Sequence, residues 1–136
     1  MTPTLLALTT FIAWALLLLL LMEVLRVRLV AKRAIAPNAF VPDNANLSRF
    51  MQRLARAHAN CVESLPLFGG LMLVAVIAGR SAVTDPLAWA LLAARIVQST
   101  VHCASLSVAA VNLRFAAFMA QLGIALYWAW RLLFTA

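Results

Sequence analysis

The sequence predicts an all-α fold, an integral membrane four-helix bundle, on three observations. Apolar residues fill 65% of the 136 positions and charged residues 11%, against about half and about a quarter in soluble domains. With a mean hydropathy of +0.98, a chain this short cannot hide its apolar surface from water. The apolar residues also fall into four runs, each long enough as a helix to cross a hydrocarbon core of about 30 Å. Finally, most basic residues crowd around the connection between the first two runs, the charge asymmetry of a membrane protein's cytoplasmic side.

The first run, LLALTTFIAWALLLLLLM, spans residues 5–22. A cleaved signal peptide needs a basic segment before the apolar stretch and small residues after it. Nothing before Leu5 is charged, and Glu23, Val24 and Leu25 follow, so the run reads as an uncleaved helix over about 3–30. Lys32, Arg33, Pro37, Asn38, Pro42, Asp43, Asn44 and Asn46 then form a polar connection, since proline and asparagine stop helices.

The second helix is expected over about 47–79, capped by Asn46 or Ser48. Its first half is amphipathic and charged, its second half is apolar, and Pro66 is expected to kink it. After a turn at Arg80 to Asp85, the third helix is expected over 86–107, capped by Thr84 or Asp85. Val108 to Asn112 read as a connection and 113–134 as the fourth helix, ending in the interfacial aromatics Tyr127, Trp128 and Trp130. The whole chain, 1–136, reads as a single domain. The positive-inside rule places the first loop, about 30–47, in the cytoplasm, with both termini on the far side.

Several classes are disfavoured. The net charge of +7 comes with no basic–aromatic nucleic-acid motif. Cys61 and Cys103 lack metal-ligand spacing and read as buried free thiols, and no metal site is expected. No nucleophile elbow, phosphate-binding loop or H-E-x-x-H is present. With four acidic residues in all, and Glu63 as the one mid-membrane candidate, a proton or cation pathway is thin.

The chemistry sits on two stripes. Arg49, Arg53, Arg56, Asn60 and Glu63 are spaced four, three, four and three residues apart, which puts them on one face of a helix. Arg95, Gln98 and His102 repeat the pattern at three and four. Such groups must face protein or water, which makes them site candidates; the alternative is a set of interhelical bonds that hold the bundle. Arg95 could pair with Glu63, because a buried arginine needs a partner. His58 lies off the stripe and reads as a packing residue. Arg114 would open the fourth helix, where a cation opposes the helix dipole and a bound anion would compensate.

The string RAHANCVESLPLF, residues 56–68, resembles the signature of the membrane-associated proteins in eicosanoid and glutathione metabolism, the MAPEG family. That family includes microsomal glutathione transferases and leukotriene C synthase. Arg56, Asn60, Glu63, Pro66, Leu67 and Phe68 carry the resemblance, and chain length, four spans and the basic first loop agree with it.

The resemblance implies a homotrimer with glutathione between neighbouring subunits and a hydrophobic electrophile entering from the lipid. It implies a glutathione-dependent transferase or peroxidase; since the family includes a non-enzymatic member, a non-catalytic lipid- or ligand-binding protein is the alternative. By resemblance Arg56, Asn60 and Glu63 contact glutathione, with Lys32, Arg53, Arg95 and Gln98 in the same binding set. Arg114 resembles the arginine that stabilises the thiolate, and His102 is the second catalytic candidate. Gln98 and His102 stand where family enzymes commonly carry tyrosines, and Ser64 replaces a tyrosine of some members.

Overall fold

A computed structural model describes residues 1–135. It contains α1 (Pro3–Ala31), α2 (Arg49–Ile77), a single 3-10 turn (Ser81–Val83), α3 (Asp85–Ala104) and α4 (Val108–Phe134). All four α-helices are long and apolar enough to cross a membrane, so the protein is an integral, multi-pass membrane protein.

Local sequence sets the helix ends. The Thr2 hydroxyl accepts from Leu5 N, with Pro3 at the first helical position. The Ser48 hydroxyl accepts from Met51 N and that of Ser107 from Ala110 N, each satisfying an amide the helix leaves free. At the far end of α2, Gly79 adopts φ +67, with Gly79 N bonded to Val76 O and Arg80 N to Ala75 O. This is a Schellman ending, and its left-handed residue favours glycine. Pro66 lies within α2, which continues as one helix on both sides of it.

The break between α3 and α4 corrects the sequence reading. Helix α3 stops at Ala104, and α4 starts at Val108, inside the stretch read as a connection. Ser105 and Ser107 supply the turn: the Ser105 hydroxyl accepts from Ser107 N, and Ser107 then caps α4. Thr84 and Asp85 do not cap α3 with their side chains. They are engaged by α1 instead: Asp85 Oδ1 accepts from Thr4 N at 2.9 Å and from the Thr4 hydroxyl at 2.6 Å, and the Thr4 and Thr84 hydroxyls share a 2.7 Å bond.

These ties establish the up–down order. Thr4, Thr84 and Asp85 join the start of α1 to the α2–α3 turn. At the same end Arg80 donates to the carbonyls of Leu132, Arg131 and Thr135. Both chain ends therefore lie opposite the basic first loop and the α3–α4 turn.

The interior is built on Phe11, Leu54, Met72, Leu91 and Trp128, all fully buried, together with several buried alanines. Small residues let membrane helices pack where no water drives association. Gly69 is such a point: a Cβ there would stand 2.9 Å from Leu8 Cδ1. The Trp14 indole donates to the Ser99 hydroxyl at 2.8 Å, adding a polar tie between α1 and α3.

The first loop is pinned by Asn44, which is fully buried at φ 56. Its Oδ1 accepts from Arg26 Nε at 3.1 Å and Nη2 at 2.6 Å, and its amide donates to Met51 O at 3.0 Å. Asparagine tolerates this left-handed conformation better than most residues, so one side chain fastens the loop to α1 and α2.

Candidate functional site

The stripes of α2 and α3 meet α4, from Val111 to Leu122, in a groove made of three adjoining cavities. Near the basic-loop end, Arg49, Gln52, Arg53, Arg56, His102 and Leu106 enclose about 310 Å³. Next, Asn60, Gln98, His102, Arg114 and aromatic residues of α4 enclose about 250 Å³. Deeper still, Asn60, Glu63, Ser64, Arg95 and Gln98, with apolar walls from Leu67, Phe68, Phe118 and Leu122, enclose about 360 Å³. His102 belongs to the first two cavities, and Asn60, Gln98 and Phe118 to the last two, so the three adjoin one another.

The helical repeat explains the convergence. Residues three and four apart share a face, so α2 presents Arg53, Arg56, Asn60 and Glu63 along one line and α3 presents Arg95, Gln98 and His102 along another. The groove is strongly cationic: Arg49, Arg53, Arg56, Arg95 and Arg114 line it against one carboxylate, Glu63.

The individual residues differ from expectation in three ways. First, Arg95 does not pair with Glu63. It is buried, with its guanidinium 5.6 Å from the ring centres of both Phe11 and Phe68. Its Nη1 reaches Asn60 O at 3.4 Å, while its Nε and Nη2 have no partner. Glu63 is exposed, and although both residues line the innermost cavity, no ion pair joins them among the described residues. Among the described residues the salt bridge formed is Arg26–Glu23, at 3.1 Å.

Second, Arg114 does not open α4. The helix begins six residues earlier, which removes the helix-dipole argument for a bound anion. Another observation takes its place: Arg114 lines the central cavity, and its buried Nη1 has no hydrogen-bond partner. Third, Lys32 lies at the exposed C-terminal end of α1 and lines none of the three cavities.

Arg53 is divided between two tasks, lining the outer cavity while its Nε–H donates to Cys103 O at 2.9 Å. Cys61 and Cys103 are free thiols, the first buried and the second half-buried. Among the described residues no group of three His, Cys, Asp or Glu side chains converges.

Sequence reasoning passed over Gln121 and the aromatic wall of α4. Phe115 and Phe118 line the central cavity, but in an apolar helix they look like any lipid-facing residue. Gln121 did carry a signal, since a lone amide in a membrane helix is costly unless it has work to do. It is fully buried and donates to Gln98 Oε1 at 3.0 Å.

No curated protein and no solved structure matches the chain at a significant level. The model of the MAPEG family matches residues 5–134, a stretch that takes in all four helices and every residue of the groove. The chain belongs to the MAPEG family.

Proposed function

We propose that the protein is a glutathione-dependent transferase or peroxidase of the membrane, acting on a hydrophobic electrophile that enters from the lipid. One observation carries this reading: Asn60, Gln98, His102 and Arg114, from three helices, line a single cavity, and Arg114 keeps a buried Nη1 without a hydrogen-bond partner.

The residues present fit the tripeptide. Arg49, Arg53 and Arg56 at the mouth match its carboxylates, since guanidinium forks bind carboxylates in pairs of hydrogen bonds. Glu63 offers a partner for its amine, and the Asn60 and Gln98 side chains offer partners for its peptide groups. Glutathione, when bound, supplies the sulfur nucleophile. Arg114 stabilises the thiolate form by its charge, and His102 is placed to accept the thiol proton or to donate a hydrogen bond to sulfur. The apolar walls Leu67, Phe68, Phe118 and Leu122 give the hydrophobic substrate a route from the bilayer.

The site is completed by a second copy of the chain. Arg56 and Glu63 are exposed on a single subunit, and charged groups facing lipid are costly. A neighbouring subunit covers them in a homotrimer, the assembly that family membership implies, and brings its own Lys32 to the groove. The basic first loop lies in the cytoplasm by the positive-inside rule, so glutathione enters from that side.

The groove presents Gln98 and His102 where family enzymes commonly have tyrosine hydroxyls, which favours a second reading, a ligand-binding protein without turnover. Titration of the purified protein in detergent with glutathione, followed by turnover with a generic aromatic electrophile and an organic hydroperoxide, separates the two. Saturable binding with turnover supports the enzyme. Binding without turnover across several substrates supports the second reading, and no glutathione binding removes the enzyme and leaves a lipid-binding protein.

A further inference from the structure

Gln121 touches neither the groove nor the lipid, yet its hydrogen bonds determine what the groove offers. Its Nε2 donates to Ala117 O at 2.8 Å and to Gln98 Oε1 at 3.0 Å. A backbone carbonyl can only accept, so the Gln121 atom facing Ala117 must be the amide nitrogen. That nitrogen then has its second hydrogen for Gln98, whose facing atom must be the oxygen. The Gln98 NH2 is therefore not engaged by Gln121, and Gln98 lines the two inner cavities.

We propose that Gln121 is a positioning residue, which holds Gln98 so that its amide donates into the groove to an acceptor oxygen of the bound peptide, a carbonyl or a carboxylate. This rests on the reading of the groove as a glutathione site. Gln121 makes the arrangement at a cost. It is fully buried, and its own Oε1 has no partner, a state buried polar groups rarely keep. In an otherwise apolar stretch of α4, a leucine or methionine would avoid that cost. A donor held in place before binding loses no freedom on binding, which raises affinity without an added contact.

The test compares Gln121→Met, Gln98→Met and the double variant, with glutathione affinity measured in detergent alongside the side-chain amide spectrum of protein labelled in its glutamines. Gln121→Met keeps the length and removes the donor. We expect it to weaken glutathione binding roughly tenfold, the scale of one hydrogen bond, and to shift the Gln98 amide resonances. In the Gln98→Met background the same change should have no further effect on affinity, which a merely structural role for Gln121 would not produce. Independent, additive losses, or unchanged affinity in Gln121→Met, would overturn the proposal. If the wild-type protein binds no glutathione, the functional reading falls and the spectrum alone decides. Gln98 resonances that move in Gln121→Met then uphold the positioning role, and resonances that stay in place remove it.

Discussion

The Nε–H of Arg53 donates to the backbone carbonyl of Cys103 at 2.9 Å, so a side chain from the first turns of α2 closes the C-terminal end of α3. The last carbonyls of a helix have no partner within it, and cations interact favourably with that end. Arg53 thus braces the mouth of the groove as well as lining it. Arg53→Gln should lower stability by roughly 1 kcal/mol, the scale of one net hydrogen bond, and should weaken glutathione binding. Thermal unfolding in detergent checks the first effect. An unchanged melting temperature alongside reduced affinity would assign Arg53 to the ligand alone.

Asn44 concentrates three hydrogen bonds and a left-handed backbone in one buried residue. Asn44→Ala takes the Asn44 acceptor from Arg26, which keeps Glu23 Oε1 and the Val41 and Pro42 carbonyls, takes the side-chain donor from Met51 O, and places a less tolerant residue at positive φ. The expected loss is about 2–4 kcal/mol, since breaking a buried network is among the larger single-residue effects. Asn44→Asp should cost less, because the acceptor for Arg26 survives. Equal losses in the two variants would show that the Met51 bond, and not the Arg26 pair, secures the loop.

The position of Lys32, outside the groove of its own subunit, makes the proposed trimer testable by complementation. Lys32→Ala and Arg114→Leu should each reduce glutathione turnover when expressed alone. Co-expressed, they should recover part of the activity, because some sites then combine an intact Lys32 from one subunit with an intact Arg114 from the next. No recovery in mixed assemblies, verified as mixed by differential tagging, would place both residues in one subunit's site. Native mass spectrometry in mild detergent gives the copy number, for which we expect three.

Much of the fold and the frame of the site could be read from residue order. The apolar runs mark the spans, and the four-and-three spacing from Arg53 to Glu63 and from Arg95 to His102 marks two faces that the structure brings together. What escaped depends on contacts that spacing does not encode. Arg95 and Glu63 look like partners because each needs one, but Arg95 turns inward between Phe11 and Phe68. Val108 to Asn112 read as a connection, yet they are helical. The stronger local signal was Ser107, a helix-capping residue, and it fixes the earlier start of α4. Gln121 was legible as an oddity, but its bond to Gln98 joins residues on different helices that no periodicity relates.

In the proposed function, glutathione lies in the groove as a thiolate beside Arg114. A free thiol titrates near about 8.5, and a fixed cation within a few ångströms favours the charged form and lowers that value by about 1–3 units. Removing the cation reverses the sign. In Arg114→Leu the bound thiol should titrate higher, the acid limb of the pH–rate profile should move to higher pH, and the thiolate fraction at neutral pH should fall about tenfold per unit. If His102 is the proton acceptor instead, His102→Phe should remove a limb of the profile and Arg114→Leu should be mild. The direct measurement is an ultraviolet titration of thiolate absorbance with glutathione bound to the wild type and to Arg114→Leu. A bound thiol that titrates below the free value in the wild type, and returns toward it in the variant, is the expected result; identical titrations in the two proteins would eliminate Arg114 as the stabilising cation.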